Sequence, residues 1–387
     1  MKRPVIVSAV RSAIAKQGGA LAKIDPYIYG AEVMKAAVKK AALMPEEIDD
    51  VIMGNCLFGG GNISRLASLQ ADFPIRIPGM TIDRQCGSGI NSIGLAASLI
   101  AAGQGEVYVA GGMESMSRSP YLMRPPSRPY DRQPPTFMKR RLSPDKIGDP
   151  PMGETAENLA ERYEISREEQ DEFALQSQQR MAAAMEKKLF KEQIVPIEVT
   201  DQKGNVALFE QDEHPRADSS KEKLSRLSPA FREGGSVTAG NSSGVNDGAS
   251  AVVVMSEDRA KEKGMDILAG IIGWEVAGVD PNYMGIGPVP AIQQLLKKTG
   301  HTLKDIDLVE FNEAFASQVL ACNRELGMDL GKVNVNGGAI AHGHPIAATG
   351  AMLITKLVHE MKRRDVQLGL AAACIGGGQG IALLLER

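Results

Sequence analysis

The feature that most constrains this chain is a repeat. Lys39-Lys40, Ile48-Asp49 and Val51 match Lys297-Lys298, Ile306-Asp307 and Val309 at one constant offset, which two unrelated helix-to-strand passages would seldom produce by chance. Val107-Tyr108-Val109-Ala110 then resembles Leu368-Gly369-Leu370-Ala371, so that Met113 falls opposite Cys374. Such a chain has to fold as two like halves. Short aliphatic runs such as Val5-Ile6-Val7 alternate with helical patterns such as residues 31–38, which predicts α/β halves with buried strands.

After Cys374 the second copy passes through Ile375-Gly376-Gly377-Gly378-Gln379-Gly380 directly into the aliphatic run 381–385. The first copy reaches a comparable run, 251–254, only after a long excursion. An inserted domain is therefore expected at 119–244, with 1–118 and 245–262 forming the first half and 263–387 the second. The insertion opens on a Pro- and Arg-rich stretch from Ser117 to Pro151. Proline removes backbone donors, so an extended surface loop is expected there. A capping box of Ser166 with Glu169 starts a helix whose Phe173, Ser177, Met181 and Ala184 share one face, as core packing requires.

Composition narrows the function. With 43% hydrophobic and 24% charged residues and a net charge of −3, the chain reads as soluble and globular, with no field to attract nucleic acid or an anionic membrane. No run approaches the ~18 apolar residues of a membrane span, and the start, MKRPVIVSAVR, lacks a signal-peptide core. The four cysteines, 56, 86, 322 and 374, never form CxxC, so neither a metal cluster nor a disulfide framework is expected and a reducing cytoplasm is the expected compartment.

Three turns carry chemistry. Around Cys86 a strand ends, Gly87-Ser88-Gly89 turns the chain and an amphipathic helix begins, an arrangement expected to favour thiolate. Asn334 to Pro345 is expected to end a strand in a glycine-rich turn from which His344 can project into a cleft. Cys374 opens a GGG turn whose backbone N–H groups suit an oxyanion.

Together these turns resemble the thiolase family, the acetyl-CoA acyltransferases. The resemblance runs over nearly the whole chain: Ala9-Val10-Arg11-Ser12, Asp83-Arg84-Gln85-Cys86-Gly87-Ser88-Gly89, Gly111-Gly112-Met113-Glu114-Ser115-Met116-Ser117, residues 152–158, residues 238–244, Met284-Gly285-Ile286-Gly287-Pro288, Asn312-Glu313-Ala314-Phe315-Ala316, and the His344 and Cys374 turns. It implies a duplicated α/β fold of two βαβαβαββ halves whose sheets pack on shared helices, with a loop domain over the CoA site. Cys86 would take the acyl group as a thioester and His344 its proton; Cys374 would be the acid/base at the α-carbon. One oxyanion hole would use His344 and a water held by Asn312, the other the N–H groups of Cys86 and Gly376. Ser243 would face the pantetheine amides, Met152, Phe231, Met284 and Phe315 the arm and acyl pocket, and Arg216 the phosphates. Coenzyme A and acyl-CoA would be substrates, with no tightly bound cofactor and no metal, in a homodimer or homotetramer. The resemblance leaves open thiolysis of 3-ketoacyl-CoA, as in fatty-acid β-oxidation, or short-chain condensation of acetyl-CoA.

Some positions depart from the common pattern. The usual Ala-Leu-Gly-His-Pro-Leu-Gly is here Ala341-His342-Gly343-His344-Pro345-Ile346-Ala347, and Pro151 stands where some short-chain thiolases have histidine. On an extended segment His342 would face away from His344, as a structural or surface residue. Cys56 and Cys322 read as core thiols, His214, His301 and His359 as surface, and Glu313 as holding its loop. Two readings compete. A decarboxylating condensing enzyme of the same fold would pair its cysteine with two histidines, against Cys374 here. A non-catalytic acyl-CoA-binding subunit need not keep all of Cys86, Asn312, His344 and Cys374. The basic stretch Arg118, Arg124, Arg128, Arg132, Lys139, Arg140, Arg141 and Lys146, against Asp131, Asp145 and Asp149, would steer CoA or sit between subunits.

Overall fold

The computed structural model describes residues 2–128, 130, 132–200 and 204–387. The first copy of the repeat folds as β1 (Pro4–Ser12), α1 (Pro26–Lys40), β2 (Asp50–Gly54), α2 (Ile63–Gln70), β3 (Gly79–Ile82), α3 (Ser88–Ala101) and β4 (Val107–Ser115). Two helices of the excursion, α4 (Met152–Arg162) and α5 (Arg167–Glu186), precede β5 (Asn246–Ser256). The second copy repeats the order with β6 (Ala269–Gly278), α6 (Pro288–Thr299), β7 (Leu308–Phe311), α7 (Ala316–Leu326), α8 (Ile346–Arg364), β8 (Leu368–Ile375) and β9 (Gln379–Glu386).

Among the described residues one strand is missing from the second copy. Opposite β3 there is only a bridge between Val309 and Val333. Asn334, at φ 45°, turns the chain away, and its side chain takes over the pairing. Its Oδ1 accepts from the Phe311 N–H and its Nδ2 donates to the Phe311 carbonyl, both at 2.8 Å. The ladder next to Asn312 is thus completed by an amide side chain.

The strands form one path, β7-β8-β9-β6-β1-β5-β4-β2-β3. The halves meet where β1 pairs antiparallel with β6, Val5 with Gly270 and Ile6 with Ala269. The two sheets therefore join edge to edge as well as packing on shared helices. β1, β4 and β5 are buried along their whole length, which accounts for their unbroken aliphatic and small-residue character.

α3 and α8 are the shared helices. Ile90, Ile93, Ala97 and Ile100 of α3 enter one core with Ile354, Leu357 and Met361 of α8. Glycine lets the helices touch. A Cβ on Gly89 would collide with the Ala351 nitrogen, and one on Gly350 with the Ile90 nitrogen.

The repeat has an electrostatic counterpart. Asp49 Oδ2 accepts the N–H groups of Glu106 and Val107 at 2.6 and 2.9 Å, tying down the start of β4. Asp307 Oδ2 accepts those of Gln367 and Leu368 at 3.0 and 2.9 Å, doing the same for β8. The Ile-Asp pairs visible in the sequence are these two caps.

In the excursion, Ser166 and Glu169 form the expected reciprocal cap (3.1 and 2.8 Å), and Phe173, Ser177, Met181 and Ala184 are all buried. The Pro- and Arg-rich stretch is mostly exposed loop, interrupted by a short hairpin pairing Leu122–Met123 with Phe137–Met138. A buried ion pair fastens the excursion to the first half. Arg11 on β1 meets Asp212 in a two-pronged contact at 2.8 and 2.9 Å, with both side chains 1% exposed.

Candidate active site

The first half delivers Cys86. β3 ends at Ile82, and Gln85, at φ 44°, bends the chain so that Cys86 lies in a single helical turn (Gln85–Gly87) ahead of α3. Asp83 Oδ1 accepts the Gln85 N–H at 2.9 Å. Ser88 Oγ accepts from the Arg84 N–H at 2.9 Å and donates to the Gln85 carbonyl at 2.7 Å. These local bonds hold a backbone shape that a non-glycine residue adopts only with support.

The second half delivers the partners. His344 Nε2 lies 3.2 Å from Cys86 Sγ, and its Nδ1 lies 2.6 Å from Thr349 Oγ1 on α8. The His344 N–H donates to Asn246 Oδ1 at 2.9 Å. Asn312 Nδ2 is 3.5 Å from the same Nε2, and its buried Oδ1 has no partner among the described residues. Asn312 is held firmly: its N–H donates to the Ala372 carbonyl at 2.9 Å, and Asn334 clamps Phe311 before it. Glu313 after it accepts from Ser177 Oγ (2.7 Å), Asn334 Nδ2 (2.8 Å) and the Ile340 N–H (3.2 Å), so its part is to hold this loop.

Cys374, at the end of β8, is buried in a small apolar cluster with Met284, Ala314 and Phe315, against which Met152 packs. Burial pushes its thiol well above the ordinary cysteine range, and the neighbouring Cys86 pushes it further. Burial also raises the Cys86 thiol to about 11, although backbone hydrogen bonding from Gly376 and from Cys86 itself pulls it down. Burial lowers His344 to about 4. The sequence reading expected the helix terminus to favour thiolate. Desolvation outweighs it, and the resting pair is a neutral thiol donating to a neutral imidazole. Since Nε2 accepts from the thiol, Nδ1 carries the ring proton and donates to Thr349.

A cysteine in contact with an imidazole, with a second buried cysteine beside it, has the elements that acyl transfer through a thioester requires. Residues 4–258 match the family model "Thiolase, N-terminal domain" and residues 265–387 match "Thiolase, C-terminal domain". The chain belongs to the thiolase family. It is 49% identical to the acetyl-CoA acetyltransferase of Escherichia coli (strain K12), with 100% of each chain covered. A crystal structure of the Bacillus anthracis acetyl-CoA acetyltransferase superimposes with a TM-score of 0.95 at 49% identity, over 100% of this chain and 99% of that one. Human mitochondrial 3-ketoacyl-CoA thiolase in complex with CoA gives 0.93 at 42% identity, over 100% and 98%. As a thiolase with both domains present, the chain is an acyltransferase.

The thiolase fold brings Cys86, His344, Asn312, Cys374 and Gly376 to one point. Ser243 stands half-buried beside it, its N–H donating to the Ala314 carbonyl at 3.0 Å. Phe315 meets Phe231 edge-to-face at 5.9 Å, the Phe231 ring being 40% exposed. Arg216 is exposed and stands apart, lining a cavity of about 200 Å³ with His214, Lys223 and Gly240. Leu142 of the basic stretch lies against Gly376 and Gly377. Within that stretch Lys139 pairs with Asp149 at 3.1 Å and Arg141 with Asp145 at 2.7 Å, so neither offers an unpaired charge; Asp131 lies outside the described residues.

Expectations change at five residues. His342 is not on an extended segment; it closes a helical turn (Ala339–His342) and is buried. His214, His301 and His359 are half-buried rather than surface residues. His359 sits in the mostly buried α8 and reaches the Ala9 carbonyl at 3.0 Å, and His214 packs on Gly244 with Nδ1 3.4 Å from Asn246. Cys322 is core, whereas Cys56 is only partly buried, 3.6 Å from Ser88 Oγ. Thr349 and Asn246, which orient His344, were not singled out from sequence. Neither shows a local pattern, and a search for the second partner of a catalytic histidine is the signal that would have found Thr349.

Proposed function

We propose that this thiolase cleaves 3-ketoacyl-CoA with CoA, and in reverse condenses two molecules of acetyl-CoA, through an acyl group carried on Cys86. The observation that carries the reading is the 3.2 Å contact of His344 Nε2 with Cys86 Sγ, with the Gly376 N–H on the same sulfur and Cys374 at its side. In thiolysis the Cys86 proton passes to His344 as the sulfur attacks the 3-keto carbon. The oxyanion is met by the N–H groups of Cys86 and Gly376. The bond between C2 and C3 then breaks, and its electron pair goes to the α-carbon, which takes the Cys374 proton to give acetyl-CoA. The enolate oxygen is met by His344, now a donor at Nε2, and by a water on Asn312. CoA enters, gives its thiol proton to the Cys374 thiolate and attacks the acyl carbonyl. Cys86 leaves and recovers its proton from His344.

Burial keeps Cys374 a protonated thiol, ready to give its proton to a carbanion, and makes its thiolate a stronger base for the reverse step, which supports Cys374 as the acid/base at the α-carbon. The relatives named acetyl-CoA acetyltransferase are 46–49% identical, against 42–43% for the human 3-ketoacyl-CoA thiolase, which supports a short acyl group. Residues 119–244 are assigned as the cover of the CoA site, supported by Leu142 on the catalytic turn, with Ser243, Met152, Phe231, Met284 and Phe315 along the pantetheine arm and Arg216 at the phosphate end. Exposed Phe137 on the short hairpin and exposed Tyr121 just before it support assembly into a homodimer or homotetramer. No helix among the described residues is long and apolar enough to cross a membrane, which fits the cytoplasmic assignment. Mixing enzyme with acetyl-CoA tests the reading: a burst of CoA near one equivalent is expected, and none would oppose it in favour of a binding subunit. Comparing thiolysis of acetoacetyl-CoA and a long 3-ketoacyl-CoA tests the chain length.

A further inference from the structure

A line of buried polar contacts runs from β7 to the catalytic imidazole. Lys356 on α8 donates from Nζ to Glu310 Oε2 and to the Gly337 carbonyl, both at 2.7 Å, and lies 3.4 Å from His342 Nε2. Lys356, Glu310 and His342 are 4%, 3% and 1% exposed. Three acceptors match the three protons of an ammonium group. His342 Nδ1 lies 2.9 Å from the Gly343 carbonyl. A carbonyl only accepts, so Nδ1 carries the ring proton, and Nε2 is left as the lone pair that the ammonium requires. Both neighbours of the ring dictate the same tautomer.

The Gly343–His344 peptide is therefore held at both ends, its carbonyl by His342 Nδ1–H and its N–H by Asn246 Oδ1 at 2.9 Å. Gly343 adopts φ 100°, and a Cβ there would collide with the Asn246 side chain. A glycine has little conformational preference of its own, so the tilt of this peptide depends on those two bonds. The peptide carries the ring that must stay 3.2 Å from Cys86 Sγ.

We propose that His342 is a positioning residue of the transfer reaction, its Nδ1–H, oriented by Lys356, locking the Gly343–His344 peptide so that the His344 imidazole meets Cys86. The proposal rests on His344 as the proton acceptor of Cys86. It is tested with H342L, H342N and H342Q in the full-length enzyme. An asparagine amide takes the place of Nδ1 and can still donate to the Gly343 carbonyl, whereas a glutamine amide takes the place of Nε2 and cannot. In H342L and H342Q kcat should fall about tenfold or more with KM within about twofold, because a misplaced base impairs the reacting geometry and not the binding of CoA. H342N should recover to within about threefold of the wild type, whatever the order of the melting temperatures.

A kcat in H342N no higher than in H342L and H342Q would overturn the proposal. Should the variants fail to fold, neutron diffraction of the unmutated enzyme decides: deuterium on His342 Nδ1 and none on Nε2 supports it, and the opposite tautomer overturns it. A wild-type enzyme that never acylates Cys86 would defeat the functional reading instead, and is recognised by the absent CoA burst.

Discussion

The two halves of the molecule are copies in scaffold and strangers in chemistry. Both carry an aspartate that caps the last parallel strand, Asp49 and Asp307, and both put a glycine where the central helices touch, Gly89 and Gly350. Cys86 and His344 precede those helices at corresponding places, so the contact of α3 with α8 brings the two side chains together. The ends of β4 and β8 have diverged. Met113 packs over Gly30 in an apolar core, while its counterpart Cys374 borders Cys86. Duplication thus supplied the geometry, and a few substitutions within it supplied the chemistry.

The comparison is broken most severely at the residue where the halves differ most. Cys374→Ser should keep the acylation burst but lose thiolysis by about 10²–10³-fold, because a hydroxyl is too weak an acid at the α-carbon. Wild-type exchange of the α-protons of acetyl-CoA by this variant would deny Cys374 any proton-transfer role.

The base comes next. With Cys86 at about 11 and His344 at about 4, the pair holds one transferable proton between those values, and acylation should be nearly flat between about pH 6 and 9. His344→Ala should slow acylation by about 10²-fold or more at neutral pH. Its residual rate should rise about tenfold per pH unit toward 11, since only free thiolate remains to react. A wild-type profile that falls off below about pH 6.5 would mean that the imidazole is not held neutral.

The shared scaffold predicts symmetric effects. Gly89→Ala and Gly350→Ala should each destabilise by about 1–3 kcal/mol, read as a fall in melting temperature, because either methyl forces α3 from α8. The double variant should cost less than the sum, since one displacement accommodates both. Simple additivity would mean that the two glycines do not share a contact. The smallest effect is expected at the caps: Asp49→Asn and Asp307→Asn should each cost about 1 kcal/mol by the same assay, and a clear inequality would show that the caps bear unequal load.

What was legible in the sequence was whatever leaves a local mark. The Ile-Asp pairs, the small residues around Cys86 and the glycines after Cys374 are dense enough in unusual residue types to be read without a structure. Partners drawn from distant segments leave none. Nothing near Arg11 announces Asp212, and nothing near His344 announces Asn246. The third strand of the second half could not be read as missing, because a backbone bridge at Val333 and two bonds from the Asn334 side chain to Phe311 stand in its place. His214 and His359 have charged neighbours in sequence, which reads as surface, whereas their burial follows from the packing of β5 and α8. The expected thiolate failed for a related reason: a helix terminus is visible in sequence, and the degree of desolvation is not.

The central claim is that the first half carries the acyl group and the second half moves the protons. Brief incubation with isotopically labelled acetyl-CoA, acid quench and peptide mapping tests it directly. The account predicts label on the peptide bearing Cys86, undiminished in Cys374→Ser and absent from Cys86→Ala. Label on the peptide bearing Cys374, or label that survives Cys86→Ala, would contradict it.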